Sequence, residues 1–213
     1  MKKIVILVSG SGSNLQAIID ACERQQIAGH IVAVISNKAD AFALERAKLA
    51  HIPSHVISHL DYPSREQFDE AVAKKIAYYQ PDLIVLAGYM RILTADFINR
   101  YAGKILNIHP SLLPKYPGLN THHRAIVSGD KEHGTTVHFV TKELDGGPII
   151  LQAKVPIFSD DKEQDVIDRV LTQEHQIYPL VIKWFCSDRL IMLNDKAYLD
   201  KQEIAAGGYG SDD

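Results

Sequence analysis

Short apolar, β-branched runs alternate with segments of helical periodicity through the first half of the chain. The runs are "KIVILVS", "HIVAVIS", "SHVIS", "DLIVLAG" and "KILNI". They are apolar on both faces, which is the pattern of parallel strands covered by helices on either side. Between them, residues 14–26 place Leu15, Ile18, Ile19 and Cys22 on one stripe, and residues 41–50 are rich in helix formers. Ser64 and Gln67 mark a capping box ahead of a helix that runs to Tyr79. The alternation predicts an α/β fold, a doubly wound, mostly parallel, Rossmann-like sheet. Past the strand "KILNI" the pattern changes. "GTTVHFVT" alternates with period two, "DGGP" is a turn, and "IILQAKVPIF" is a second extended run, which together predict an antiparallel β-ribbon. Residues 165–187 then read as one long C-terminal helix, and 205–213 as a disordered tail.

With 213 residues, 46% of them hydrophobic, the chain can bury one sizeable core, so a single domain over 1–213 is expected. A net charge of −3 offers no basic footprint for nucleic acid and no polybasic patch for a membrane surface. The longest apolar runs are too short to span a bilayer. "MKKIVILVSG" resembles the start of a signal peptide, but Ser11, Gly12, Ser13 and Asn14 follow at once, and the segment reads as a first strand. Cys22 and Cys186 form no C-x-x-C pair, which assigns them to packing and fits a reducing cytoplasm.

In an open α/β sheet, ligands bind beyond the carboxyl ends of the strands. Three polar or unusual clusters fall at such ends. "SGSGSN", Ser9 to Asn14, leads from the first strand into a helix, so backbone N–H groups and the helix N-terminus can hold a phosphate. Leu15 stands where a dinucleotide fingerprint needs Gly, and the Gly-Lys-Ser/Thr of a P-loop is missing. The alternative reading is a tight turn with Asn14 as helix cap. The second cluster, "AGYMRILT", puts Tyr89, Met90, Ile92 and Leu93 in a loop, where polar turn residues are the rule. A flat hydrophobic ligand would explain them, as would a loop folded down over the core.

The third cluster is "KILNIHPSLLPKYPGLNTHH". Asn107 and His109 share one face of a strand by the period-two rule, and Pro110, Pro114 and Pro117 stiffen the loop beyond it. An amide donor beside an imidazole suits a developing oxyanion and a proton transfer near neutral pH. His122, His123, His133 and His138 with Asp145 show no metal-ligand spacing, so no metal is expected. Nor is there a G-x-S-x-G elbow for a covalent acyl intermediate.

From Lys2 to about Leu199, "SGSGSNLQAIID", "SNKADAFALERA", "LAGYMRIL", "ILNIHPSLLPKYPG" and "HGTTVHFVTKELDGGPIILQ" resemble the phosphoribosylglycinamide formyltransferases, folate-dependent enzymes of purine biosynthesis. The resemblance implies a phosphate-binding half over about 1–100 and a catalytic, folate-binding half over about 101–200. It implies catalytic Asn107, His109 and Asp145. It also implies ribonucleotide contacts at Gly12, Ser13, Asn14 and Glu174, and folate contacts at Arg65, Met90, Arg91, Ile92, Leu93 and Asn107. 10-Formyltetrahydrofolate is then the co-substrate, phosphoribosylglycinamide the acceptor, and the chain a cytoplasmic monomer or homodimer. Where many relatives carry His in "PGLHTH", this chain has Asn120, an amide that cannot titrate, and His122 is likewise kept out of the catalytic set. The rival readings are a methionyl-tRNA formyltransferase, a formyltetrahydrofolate hydrolase, and a binding module that keeps the fold without the chemistry.

Overall fold

The structure is a computed structural model and describes residues 1–210. The chain divides into two compact units, Met1–Asn107 and Ile108–Asp213.

The first unit runs β1 (Lys2–Val8), α1 (Ser13–Glu23), β2 (Gly29–Ser36), α2 (Ala43–Leu49), β3 (Ser54–Val56), a 3-10 turn at His59–Asp61, α3 (Arg65–Tyr79), β4 (Leu83–Leu86), α4 (Ala95–Arg100) and, as far as Asn107, β5 (Ile105–His109). Its strands take the order β3-β2-β1-β4-β5 and are all parallel. β1 lies in the middle with Ile4 to Val8 fully buried, because helices cover both faces and leave no polar position to alternate. α1 buries Leu15, Ile18 and Ile19 of the expected stripe and leaves Cys22 half-buried, and α3 buries Phe68, Val72, Ala73 and Ile76. The Ser64 side chain accepts the Gln67 N–H and caps α3, as its position before the apolar stripe predicts.

The strand order reverses direction between β1 and β4. The Ser9–Asn14 and Gly88–Thr94 segments leave the sheet at that switch point, beyond the carboxyl ends of the two strands, where open α/β sheets bind ligands.

The second unit contains α5 (Thr121–Val127), β6 (Glu132–Phe139), β7 (Ile149–Pro156), α6 (Glu163–Cys186), β8 (Leu190–Leu193), β9 (Lys196–Leu199) and β10 (Gln202–Glu203). β6 and β7 form the expected antiparallel ribbon. Gly134 allows the two backbones to approach: a Cβ there would lie 2.0 Å from the Ala153 carbonyl oxygen. α6 packs Val166 and Val170 against Val155 of the ribbon, with Ile126 and Ile157 at the margin.

Two elements depart from the sequence reading. A small antiparallel sheet, β10-β9-β8, follows α6. Its hairpin turns at Asn194 and Asp195, both at positive φ, the conformation these residues tolerate best among those with a side chain. The expected tail is also placed as far as residue 210: Tyr209 N–H donates to the Ile150 carbonyl at 2.8 Å, and its ring meets Trp184 edge-on at 5.4 Å. An aromatic anchor with a backbone bond outweighs the glycines around it. Residues 211–213 of that expectation lie outside the described residues. Among the described residues, no helix is long and apolar enough to cross a membrane.

Candidate functional site

In the first unit, α1 begins at Ser13 with Gly12 as its cap in left-handed conformation, φ 72°. Asn14 therefore lies inside the first helical turn, and the cap of α1 is Gly12, not Asn14. Three contacts from α2 brace this loop. Ala43 N–H donates to Gly10 O at 3.0 Å, Arg46 Nε donates to Ser11 O at 2.8 Å, and the Ala43 Cβ would sit 2.7 Å from any Cβ at position 12. The loop carbonyls turn toward α2, and the first-turn N–H groups of α1 are the donors a helix start offers an anion. Gly12→Ala is expected to destabilise the protein by at least about 1–2 kcal/mol from the backbone alone, a shift readable in the urea midpoint.

The segment after β4 carries Met90 61% exposed and Ile92 56% exposed, while Leu93 is buried. The first two side chains are thus available to an apolar ligand, and Leu93 can meet one only through its backbone. The segment is tied at both ends: Met90 N–H donates to Ser9 Oγ at 2.8 Å, and Thr94 N–H donates to Asp69 Oδ2 at 2.6 Å. Arg65, exposed at the start of α3, and Arg91, whose guanidinium lies 5.7 Å over the Phe68 ring, both act electrostatically on buried Asp69. Burial nevertheless dominates and holds the Asp69 carboxyl above the usual carboxylate range. Ser9 and Asp69 escaped the sequence reading. Asp69 was visible only as the i+4 partner of Arg65, and Ser9 as one more residue of a Gly-Ser loop.

Asn107 is half-buried on β5, two residues from His109 and on the same face.

In the second unit, His109 is 6% exposed. Its Nε2 lies 2.8 Å from the Tyr116 carbonyl oxygen and its Nδ1 lies 3.5 Å from Asp145 Oδ2. Both ring nitrogens face oxygen atoms, a carbonyl at Nε2 and a carboxylate at Nδ1. Asp145 Oδ2 also accepts the Gly118 N–H at 2.9 Å, and Asp145 Oδ1 stands 3.9 Å from His138 Nε2. His138 is buried, which lowers its pKa, and its Nδ1 faces the Phe139 carbonyl at 2.8 Å. The neutral ring with its proton on Nδ1 fits that contact.

The proline loop is fastened around this pair. Thr136 Oγ1 donates to Ser111 O and accepts the Leu113 N–H, Gln152 Nε2 donates to Leu113 O, and Thr121 Oγ1 donates to Pro110 O. Tyr116, Gly118 and Asn120 adopt positive φ. Asn120 is the cap of α5 at φ 57° without a side-chain capping bond, so its role in this structure is the left-handed backbone that Asn accepts readily. Thr135 Oγ1 donates to His109 O at 3.0 Å and stands 3.4 Å from Glu174 Oε1, which brings buried Glu174 beside the strand end. Tyr116, Gly118, Thr135 and His138 act here through backbone groups or buried polar atoms, which leave little trace in a one-dimensional pattern.

Beside the loop, His133 Nε2 lies 3.2 Å from His122 Nδ1. Burial, and then the neighbouring His122, lower the His133 pKa to about 4. In the unfolded chain His titrates near 6.5, so between about 6.5 and 4 the unfolded state binds a proton that the folded state refuses. Stability is complete above that window and is lost as pH falls through it. Thermal midpoints are expected to drop across this range, and His133→Gln to flatten the slope without abolishing it, since burial lowers His122 and His138 as well. Burial also pushes the Cys22 thiol up to about 11, in keeping with a packing role.

The family model described as formyl transferase matches residues 2–182, the span that contains both the parallel strands and the Asn107–His109 strand end. The phosphoribosylglycinamide formyltransferase of Escherichia coli (strain K12) is 59% identical over 210 residues, covering 99% of each chain. The solved structure of the phosphoribosylglycinamide formyltransferase of Coxiella burnetii superposes with a TM-score of 0.93 at 50% identity, over 97% of each chain. A formyltetrahydrofolate deformylase from Pseudomonas syringae is also similar, with a TM-score of 0.86 at 28% identity, over 93% of this chain and 65% of that one. The chain belongs to the formyl transferase family and, within it, to the phosphoribosylglycinamide formyltransferases.

Proposed function

We propose that this enzyme transfers the formyl group of 10-formyltetrahydrofolate to the amine of 5′-phosphoribosylglycinamide, giving 5′-phosphoribosyl-N-formylglycinamide and tetrahydrofolate. The observation that carries the reading is the full-length likeness to the Escherichia coli enzyme of that name. The side-chain chemistry supports it. Gly12, Ser13 and Asn14 are assigned to the substrate phosphate and Glu174 to the glycinamide end. Met90, Arg91, Ile92 and Leu93 are assigned to the pterin, and Arg65 to the folate. Both substrates are small molecules, and a cytoplasmic monomer or homodimer suffices.

The chemistry follows from the groups at the end of β5. The amine lone pair attacks the formyl carbon, forming a C–N bond and placing negative charge on the formyl oxygen. Asn107 Nδ2–H donates to that oxygen, and the His109 imidazolium stabilises the same charge. Collapse breaks the bond between the formyl carbon and N10 of the folate. The proton lost by the attacking nitrogen reaches N10, with His109 as the group able to relay it. Asp145 holds the imidazole orientation through Nδ1, as its bond to Gly118 N–H in turn holds Asp145.

The test is a steady-state assay of tetrahydrofolate formation with and without phosphoribosylglycinamide. Formation that depends on the ribonucleotide is expected. Formation without it would identify a deformylase, and none under either condition would overturn the reading.

A further inference from the structure

We propose that Ser9 is a positioning residue for the folate-binding segment, and that its hydroxyl ties the phosphate loop, the end of β2 and the backbone of Met90 into one unit. The inference rests on the assignment of Met90 to Leu93 to the pterin. Ser9 is 4% exposed and directly follows β1. Its Oγ–H donates to Asn37 Oδ1 at 2.6 Å, and Asn37, just beyond β2, is 3% exposed.

A hydroxyl has one proton. With that proton on Asn37, the oxygen lone pairs are left for Met90 N–H, which lies 2.8 Å away. Asn37 thus orients the hydroxyl, and the hydroxyl orients Met90. The placement matters because Gly88 to Thr94 is neither helix nor strand before Thr94 caps α4, so no ladder of backbone bonds holds it. A recognition surface made of backbone groups and two exposed apolar side chains keeps its shape only through such ties. Asp69 provides the tie at Thr94 and Ser9 the one at Met90.

Ser9 also begins the loop whose later residues, Gly12 to Asn14, are assigned to phosphate. The two ligand-binding segments at the switch point therefore share one atom in their support. Removing the hydroxyl leaves Met90 N–H and Asn37 Oδ1 without this partner and frees the start of the pterin segment. Folate binding suffers directly. The phosphate loop keeps its own bracing from Ala43 and Arg46, so ribonucleotide binding changes little.

The test uses the full chain. Ser9→Ala is expected to raise the KM for 10-formyltetrahydrofolate about tenfold, with kcat and the ribonucleotide KM within about threefold of wild type. Ser9→Thr, which keeps a hydroxyl, is expected to restore most of the loss. Asn37→Leu, which removes the group that orients the hydroxyl without touching Met90, is expected to raise the folate KM several-fold and keeps the test open should Ser9→Ala fail to fold. An unchanged folate KM in these variants, a loss falling on kcat or on the ribonucleotide KM, or no rescue by Thr would overturn the proposal. Calorimetric titration of wild type and Ser9→Ala with 10-formyltetrahydrofolate reads the same tie without turnover. A wild type that binds this folate but transfers nothing would therefore sink the transferase reading and leave the Ser9 proposal to be judged on binding alone.

Discussion

His109→Ala is expected to lower kcat for ribonucleotide-dependent tetrahydrofolate formation by about 10²–10⁴-fold, the range that positioned acid–base groups supply. The KM values should move little, because the ring is 6% exposed and engaged with protein groups, so substrates in their ground state gain little from it. His109→Gln separates the two roles of the imidazole. An amide can donate to the oxyanion but cannot relay a proton near neutral pH. A Gln variant as slow as Ala would make proton relay the main contribution, and partial recovery would make it charge stabilisation. Near-wild-type turnover in His109→Ala would remove His109 from the mechanism.

Asn107→Ala should reduce kcat by about 10²–10³-fold, or about 2.7–4 kcal/mol of transition-state stabilisation, as loss of one oxyanion donor does elsewhere. The near-isosteric Asn107→Asp is the sharper probe, because it fills the same space with an acceptor and sets a negative charge where charge develops. Asp is expected to be at least as damaging as Ala. Recovery of activity in Asn107→Asp would show that shape, and not donation, is what position 107 contributes. Since Asn107 lies on a strand paired with β4, both variants should keep thermal midpoints near wild type, which separates lost chemistry from lost fold.

The parallel strands were legible because burial on both faces produces runs that few other structures use, as in Ile4 to Val8. Asn107 and His109 stood out as polar groups at the end of such a run and the Gly-Ser-Asn loop as a strand-to-helix turn, whereas Asp145 was singled out only by the family resemblance. Other parts were hidden for physical reasons. The β8–β9 hairpin rests on a two-residue Asn-Asp turn between strands of only four residues each, too short for a period to declare itself. Ser9 and Thr135 matter through partners 81 and 26 residues away, and no local period encodes a bond of that span. The contact from His109 to Tyr116 uses a backbone carbonyl, which every residue possesses and no sequence can advertise.

Under the proposed mechanism, that last contact would discriminate between substrate and transition state. The Tyr116 carbonyl is a neutral acceptor, chemically akin to the formyl oxygen before reaction. Exchanging one for the other brings His109 no gain, so the bound substrate has no means of drawing the ring out of its place. In the proposed mechanism, once the formyl oxygen carries a full negative charge the ring meets an ionic acceptor in place of a neutral one, and the exchange becomes favourable. On that mechanism the loop carbonyl sets a threshold for the tetrahedral intermediate to pass, and the binding energy of His109 is withheld from the ground state and released where it would accelerate the reaction.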